Sequence, residues 1–575
     1  MQRSPGDSST VLRIFGQKHQ AKRRSRSKRV LTRALPLTVI AIGAVAFGWY
    51  EAGAGGRDEH RMVVSYVAAW RRDDYQQMYS MLSVASQQKL SEARFAQDMR
   101  RAADTATLTT LHAIKLVSIH GDLARESFAL HTRIFGTLRE TALIPIAGSG
   151  SGARIKYGDS LLLPGVDPGQ RLSRVALLGA RGTLLASNGQ VLAQGSSLDS
   201  PIPTVAGEIV GTLGPIPAAD REQYVREGYP AKAQVGQDGL EAIFQKQLAG
   251  KIGGELVAGK RIIATAAPGL GQTVKTTINP DLEQDAIDAI AGHYAGITVL
   301  NPHTGAIEAA AGLAWSALQP PGSTFKIITS AAALGAHLTT LNTEYPMSSS
   351  VKIDGFTMQN AAGEVCGGTL INAFATSCDT TFAPLGDTIG ADRLYKAAVE
   401  FGFNQPTGIA GALTSTLPAA GAIGGPIAVG ATAIGQGLVQ ATTLEMADVG
   451  ATIANGGKRP IPTLAAGAKP KYVDATTPAV AGEIQKMMEA VVAYGTGTSA
   501  EIPGITVAGK TGTAELASTA GKKNDAKETD AWFVAYAPVP DPKVVVCALF
   551  PNAGYGAQTA APAVRQVLEE ALGVS

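Results

Sequence analysis

The feature that most constrains this chain is an uncharged run near its N-terminus, ALPLTVIAIGAVAFGWY, at residues 34–50. As a helix with about 1.5 Å rise per residue, the run spans roughly 26 Å, close to the thickness of a bilayer hydrocarbon core. Residues 1–33 hold ten Lys/Arg and one Asp, a net charge of +9. Because positive charge favours the cytoplasmic side, we expect a membrane anchor at 34–52, a cytoplasmic tail at 1–33, and an extracytoplasmic remainder.

Other interpretations of this segment remain open. A cleaved signal peptide is one, although a basic leader of 33 residues is long for that role. A buried soluble helix is another. A basic tail can also bind nucleic acid, but next to an apolar run it indicates topology and contact with anionic lipid. We therefore expect a cell-membrane protein with no nucleic-acid partner.

The cysteine and histidine residues limit which disulfides and metal sites this chain can form. Cys366 and Cys378 are 12 residues apart and are the pair that could form a disulfide outside the membrane, with two free buried thiols as the alternative. Cys547 lies in VVVCALF, a pattern typical of a buried strand. The eight His are scattered without metal-ligand spacing, so we expect no metal and no cofactor.

Hydrophobic periodicity predicts a multidomain α+β protein. Helices are expected over 57–104 and strands over 105–147, followed by the flexible stretch GSGSGA. ARGTLLASNGQVLA predicts a hairpin that turns at Asn188-Gly189, and INPDLEQDAIDAI a helix capped by Asn279 or Asp281. Helical patterns dominate from there to about residue 500, after two strands in AGITVLNPHTGAIEAAAG. Strands return in GITVAGKTGTA, AWFVAYAP and KVVVCALF before a last helix, which predicts one sheet built from distant segments.

Ser323 and Lys326, in PPGSTFKIIT, have the spacing of a nucleophile and a base on one helix face. The same spacing occurs at Ser25/Lys28, Ser86/Lys89 and Ser349/Lys352, so spacing alone does not select this pair. Pro-Pro-Gly places Ser323 at a helix N-terminus, where free N–H groups favour a developing oxyanion. Lys326 can act as a base only if burial or a nearby cation lowers its pKa.

Two further motifs supply a nearby cation and a second hydroxyl. VAGKTGTAE contains Lys510-Thr511-Gly512-Thr513 in a strand pattern, and Gly512 would let a second chain approach the strand edge. ATSCDTTF places Ser377 two residues before Asp379, where a second hydroxyl can relay a proton to a leaving amine.

These three motifs, in this order, resemble the active site of the penicillin-binding proteins and serine β-lactamases. The resemblance implies that Ser323 is acylated, Lys326 is its base, Ser377 shuttles protons, and Lys510, Thr511 and Thr513 bind a substrate carboxylate. It also implies an oxyanion hole formed by the N–H groups of Ser323 and Thr513. Asp379 stands where the family usually has Asn; a carboxylate there cannot donate a hydrogen bond and raises the pKa of Lys326.

Other stretches extend the resemblance. ARGTLLASNGQVLA and VGQDGLEAIFQKQLAG are similar to the pedestal, or dimerisation, domain of class B penicillin-binding proteins, although Ala186 and Ser187 replace the usual Asp and Arg. Residues 57–155 resemble the NTF2-like domain of the methicillin-resistance type. The resemblance thus implies a β-rich pedestal domain over 156–278 and a transpeptidase domain over 279–575, an antiparallel sheet with helices.

The implied function is peptidoglycan D,D-transpeptidation of stem peptides through a serine acyl-enzyme, with covalent binding of β-lactams. Other cell-wall synthesis or division proteins are possible partners. A D,D-carboxypeptidase or β-lactamase would use the same chemistry with water as the acceptor. A catalytically weak scaffold for wall assembly is the alternative of a different class, suggested by Asp379 and the large non-catalytic half.

Overall fold

The computed structural model describes residues 56–515 and 529–574. Contacts divide the described residues into two units, one within 56–174 and 256–264 and the other within 175–255 and 265–574. The expected cytoplasmic tail and the membrane anchor at 34–52 lie outside the described residues. Within the described ranges, no helix combines the length and apolar character needed to cross a bilayer.

The first unit begins with four helices, and its capping residues explain where they start. Side-chain oxygens of Asp74, Ser83 and Ser91 each accept a hydrogen bond from a backbone N–H in the first turn of the following helix. The helices span Gly56–Trp70, Tyr75–Ser80, Val84–Lys89 and Glu92–Ala106, as predicted for 57–104.

An antiparallel sheet follows, which we call the N-terminal sheet, in the strand order of the sequence. Its strands are Leu108–His120, Leu123–Thr132, Gly136–Ala147 and the short Arg154–Ile155. Alternate residues of the second strand, among them Phe128 and Leu130, are buried. The ring of Phe128 lies 5.4 Å from that of Trp70, so the helices cover this inner face of the sheet.

The second unit starts with small sheets and short helices. The predicted hairpin forms between Thr183–Leu185 and Val191–Gln194, and Gly189 in its turn has φ +92°. The other strands wholly within this unit near its start are Leu213–Pro215, Gln234–Gly236 and Val274–Lys275, while Leu172–Leu178, Ile252–Ala258 and Arg261–Ala266 contain residues assigned to both units. The helices are Pro203–Ile209, Arg221–Glu227, Gly239–Ile243 and Gln245–Leu248.

A five-stranded sheet, the central sheet, is assembled from segments far apart in the chain, as predicted. Its spatial order is Ile307–Gly312, Gly296–Leu300, Val544–Phe550, Thr529–Ala537, Ala508–Glu515. Helices Pro280–Ile290 and Ala560–Leu572 pack on one face, and Thr443–Ala454 packs on the other. Both faces are therefore covered, which explains the continuous apolar runs of the middle strands. Asn279 caps the first of these helices.

The region between the second and third strands of this sheet in the sequence is less uniformly helical than predicted. The hairpin Ser350–Ile353 with Phe356–Gln359 turns at Asp354-Gly355, both with positive φ, a type I′ signature that the helical interpretation overlooked. Other strands are Glu344–Ser348, Cys366–Thr369, Lys458–Pro460 and Tyr472–Asp474. The helices are Lys326–Gly335, Leu370–Ala375, Asp379–Ile389, Ala391–Glu400, Ala420–Ile423, Pro426–Ala433 and Pro478–Ala493.

Candidate active site

Ser323 lies where the sequence predicts, at the start of a helix. A 3₁₀ turn, Gly322–Phe325, leads directly into helix Lys326–Gly335. Gly322 has φ +53°, and its N–H donates to the carbonyl oxygen of Gly435 over 3.0 Å. The half-buried hydroxyl of Ser323 has no hydrogen-bond partner within residues 56–515 and 529–574, so it is free to meet a substrate.

Lys326, one turn later, is fully buried and turns away from solvent into the motif at 377–379. Its Nζ donates to the backbone oxygen of Ser377 over 2.6 Å and to Oδ1 of Asp379 over 2.7 Å. The amine also lies 5.4 Å from the centre of the Phe382 ring. Lys326 thus links the nucleophile's helix to the second motif, and Asp379 is its charged partner.

Ser377 lies between two lysines. Its hydroxyl is 2.8 Å from Nζ of Lys510 and 3.5 Å from Nζ of Lys326. The residue has φ +60°, a left-handed conformation that costs a non-glycine residue about 1–2 kcal/mol. Helices Leu370–Ala375 and Asp379–Ile389, on either side, hold it in this conformation and aim the hydroxyl at both amines.

Asp379 is the first residue of helix Asp379–Ile389. The free N–H groups of that helix end favour its negative charge. Its neighbour Cys378 is joined by a disulfide to Cys366, with the two Cα atoms 5.7 Å apart and both side chains buried. Cys366 begins a strand that pairs with Glu344–Ser348, so the bridge ties the second motif to a separate sheet.

Lys510 lies on the outer strand of the central sheet, Ala508–Glu515, opposite Val534 of the next strand. Its side chain is fully buried, and Nζ lies 5.4 Å from the Phe374 ring. Gly512, two residues on, permits a close approach: a Cβ there would be 2.8 Å from the carbonyl oxygen of Pro321. The neighbour that Gly512 admits in this structure is the backbone before Ser323, and the approach of a second chain to this strand edge stays a prediction.

The electrostatics favour an amine that can lose its proton. Burial lowers the pKa of Lys326, while the charge and hydrogen bond of Asp379 oppose that shift. Burial also lowers the pKa of Lys510, and the positive charge of Lys326 lowers it further. Two buried lysines and one carboxylate thus share a small volume, so the site gives up a proton more readily than a solvated lysine does.

Thr496 is a residue of the site that sequence reasoning passed over. Its hydroxyl is 2.6 Å from that of Thr511, and its N–H donates to the carbonyl oxygen of Ala375 over 3.0 Å. It therefore joins the Lys510 strand to the segment before Ser377. Thr496 lies in YGTGTSAEIP, a stretch that resembles the family. Its distance of 15 residues from Thr511 in the sequence is no motif spacing, so the sequence did not predict the contact.

The other Ser-x-x-Lys pairs are placed elsewhere. Ser86 and Lys89 belong to a helix of the first unit, and Ser349 and Lys352 lie at the hairpin Ser350–Ile353 with Phe356–Gln359. Ser25 and Lys28 lie outside the described residues. Of the described pairs, only Ser323 and Lys326 meet the motifs at 377–379 and 510–513.

Comparison with known proteins agrees with this geometry. Residues 295–569 match the model of the penicillin binding protein transpeptidase domain, and residues 200–265 match the penicillin-binding protein dimerisation domain. The chain is 34% identical over 370 residues to the peptidoglycan D,D-transpeptidase PbpA of Mycobacterium tuberculosis, covering 52% of this chain and 73% of that protein. This chain belongs to the penicillin-binding protein family.

Further relatives place this penicillin-binding protein among the class B members, with a dimerisation and a transpeptidase domain. It is 29% identical over 443 residues to the peptidoglycan D,D-transpeptidase MrdA of Haemophilus influenzae, covering 63% of this chain and 67% of that one. A ceftriaxone acyl-enzyme structure of penicillin-binding protein A from M. tuberculosis is 27% identical, with a TM-score of 0.54 over 68% of this chain and 98% of that chain.

The D,D-transpeptidase domain of a peptidoglycan glycosyltransferase from Eggerthella lenta is 28% identical to this penicillin-binding protein. Its TM-score is 0.56, and the match covers 69% of this chain and 100% of that chain. The family and the transpeptidase fold predicted from the three motifs are thereby confirmed.

Proposed function

We propose that this penicillin-binding protein is a peptidoglycan D,D-transpeptidase whose nucleophile is Ser323. The observation that carries the proposal is the meeting of two buried lysines, from different motifs, at the Ser377 hydroxyl; one of them, Lys326, begins the helix that follows the turn containing Ser323. Ser323 Oγ attacks the carbonyl of the penultimate D-Ala of a stem peptide, and the terminal D-Ala leaves. An amine of a neighbouring strand then resolves the acyl-enzyme, and β-lactams acylate Ser323 as substrate mimics.

The proposed proton path uses the amines of Lys326 and Lys510 and the hydroxyl of Ser377 between them. Burial favours the neutral amine of Lys326, against the opposing charge of Asp379 2.7 Å away. That amine accepts the proton of Ser323 as the new Oγ–C bond forms. The Ser377 hydroxyl gives its proton to the departing amine of D-Ala and takes one from Lys510, 2.8 Å away.

Substrate binding uses the outer strand of the central sheet. Ala508–Glu515 has one neighbour, Thr529–Ala537, among the described strands of that sheet, so its other edge can pair with an extended stem peptide. Lys510, Thr511 and Thr513 hold the terminal carboxylate. The N–H groups of Ser323 and Thr513 form the oxyanion hole; the Thr513 backbone lies beside Gly322, where a Cβ would be 2.7 Å from its oxygen.

The proposal extends to the rest of the chain. Residues 34–52 anchor the protein with its N-terminus in the cytoplasm, 57–155 form an NTF2-like domain of the methicillin-resistance type, 156–278 the pedestal and 279–575 the transpeptidase domain. Helices followed by an antiparallel sheet in the first unit support the NTF2-like assignment of residues 57–155. The family matches at 200–265 and 295–569 fall within the last two. Other wall-synthesis or division proteins are proposed partners.

Labelling of the full chain with a fluorescent penicillin, followed by peptide mapping, tests the nucleophile. The label should lie on the peptide that contains Ser323, and Ser323→Ala should abolish it. Ser349→Ala, in a second Ser-x-x-Lys pair, is the matched control and should label normally. A label on any other serine would overturn the assignment.

The acceptor is tested separately by the lifetime of the adduct. A transpeptidase is expected to retain the penicilloyl group far longer than a β-lactamase does. Rapid release in water alone would identify a β-lactamase. A Ser323→Ala strain with normal protein levels should lose crosslinks; unchanged crosslinking would instead support a scaffold.

A further inference from the structure

The outward face of the N-terminal sheet carries positive charge that nothing described in the structure neutralises. Side chains alternate along a strand, and Ala124, Phe128 and Leu130 point inward and are buried. The opposite positions form what we call the basic face. Its members are Lys115, Arg125, Arg139, His112, His120 and His131.

The strand register arranges these groups along the strands. Arg139 pairs with Ala129, which lies opposite His112. Lys115 lies opposite Ser127, two residues before Ala129 on the middle strand. Arg125, two residues before Ser127 on that strand, lies opposite Ser118. Same-face residues repeat about every 7 Å along a strand, so the three permanent cations are offset by roughly that distance along the strand direction; they stand on three different strands, which lie about 4.8 Å apart.

Acidic groups are kept off this face. Of the three long strands, only Glu126 and Glu140 carry carboxylates, and their partners in the ladder, Ala142 and Phe128, belong to the inner face. Lys115, Arg125 and Arg139 have no ion pair with any residue in the described ranges. The positive potential of the face is therefore available to a ligand.

The uncharged side chains of the basic face indicate which class of anionic ligand it can bind. Hydroxyls of Ser127 and Thr141 lie at the level of Lys115, and that of Thr110 lies one level beyond Arg139; all three can donate to phosphate or sugar oxygens. Trp, Tyr and Phe are absent from the outward positions of these three strands. A lipid surface is normally held by apolar groups together with basic ones, and single-stranded nucleic acid by stacking on aromatic rings. Ile114, 50% exposed, is the one large exposed apolar side chain among the described side chains of these strands, too few for the lipid pattern, and the aromatic pattern is absent.

We propose that the basic face binds a linear anionic polymer in which phosphodiester groups recur along a polyol or sugar backbone. The cations would meet successive phosphates, and the hydroxyls would bond the units between them. This inference concerns the first unit alone and does not depend on the chemistry proposed for Ser323.

The test measures binding of fluorescent poly(glycerol phosphate) to the full chain at several salt concentrations. The triple variant Lys115→Gln/Arg125→Gln/Arg139→Gln should bind at least about tenfold more weakly, with a shallower salt dependence. The matched control, Arg71→Gln/Lys89→Gln/Arg101→Gln, removes the same charge from exposed positions in or directly after the helices and should bind as the parent does. Thr141→Lys adds a cation to the face and should tighten binding.

Three results would overturn the proposal. Equal weakening in both triple variants would mean that only net charge matters. Binding of polyglutamate as tight as that of poly(glycerol phosphate) would remove the preference for phosphodiesters. Binding to phosphatidylglycerol vesicles without binding to the polymer would identify a membrane surface instead. Melting temperatures monitor folding, and if the triple variant is unstable, failure of Thr141→Lys to tighten binding decides against the proposal.

Discussion

The amine of Lys326 donates to Oδ1 of Asp379 over 2.7 Å, and the lysine is fully buried while the carboxylate is 16% exposed. Burial and the carboxylate act in opposite directions on the pKa of Lys326. The position at which the family usually has an amide therefore controls how much neutral lysine is present near pH 7. This pair separates the chain from the usual pattern and is the first target for mutation.

Asp379→Asn should acylate with a β-lactam at least as fast as the parent. Removing the negative charge lowers the pKa of Lys326, so the rise in acylation rate with pH should move to lower pH by about one unit or more. Stopped-flow acylation from pH 5 to 9 measures this shift. Asp387→Asn, exposed on the same helix, is the control; a clear loss of rate in Asp379→Asn alone would contradict the role given to the carboxylate.

Ser377 can be probed by two substitutions that separate its hydroxyl from its strained backbone. Ser377→Ala and Ser377→Gly both remove the group between Lys326 and Lys510, so each should reduce transpeptidation about 100-fold or more. Glycine tolerates φ +60°, so the Gly variant should be about 1 kcal/mol more stable than the Ala variant. Denaturant unfolding and turnover assays check this; an active Gly variant would mean that the loop, and not the hydroxyl, matters.

Gly512→Ala should impair acylation through Ser323. The added Cβ would lie 2.8 Å from the Pro321 oxygen and 2.9 Å from Cγ2 of Thr324, which forces the start of the nucleophile's helix to move. We expect at least a tenfold slower acylation and a loss of about 1–3 kcal/mol in stability. Gly482→Ala, on a helix with open space around it, is the control and should be neutral or stabilising.

The disulfide should support the second motif. Its closure of a short loop is worth about 3 kcal/mol on the loop-entropy model. Cys366→Ala/Cys378→Ala should therefore melt at a lower temperature than the parent, and a reductant should lower the parent's melting temperature but not the variant's. Equal melting of the parent with and without reductant would argue that the two thiols are free in solution.

Stability should fall as pH rises because of two buried acids away from the active site. Burial, with the charge of Asp448, raises the pKa of Glu445 to about 8, and burial raises that of Asp448 to about 7 despite its ion pair with Arg459. An acid with a raised folded-state pKa stabilises the protein below its unfolded pKa, and this contribution is lost as pH increases through the folded value.

Glu445→Gln removes one of these charges while keeping the side chain's shape. The variant should melt at a higher temperature than the parent at pH 8, and the difference should shrink toward pH 5. Exposed Glu222→Gln is the control and should follow the parent at every pH. A Glu445→Gln variant that is less stable than the parent at pH 8 would show that the charged pair is stabilising.

Sequence alone determined the elements that depend on local patterns. The hairpin at Asn188-Gly189, the helix capped by Asn279 and the strands of the central sheet follow from turn chemistry, capping and apolar runs. The motifs around Ser323, Ser377 and Lys510 were identifiable because together, in this order, they resemble the active site of the family, whereas the spacing of Ser323 and Lys326 alone did not select that pair. The strands between residues 344 and 369 were missed, since an Asp-Gly turn among polar residues gives a weaker periodic signal than the helices around it.

Tertiary structure decided which groups share the site and in what protonation state. That Gly512 admits the backbone of Pro321, and that Thr496 bonds Thr511, depends on the packing of segments distant in sequence. The pairing of Lys326 with Asp379, at 2.7 Å, and the lowered pKa of both lysines likewise arise only when burial removes water from them. Spacing along a chain carries no information about desolvation, so these properties required the fold.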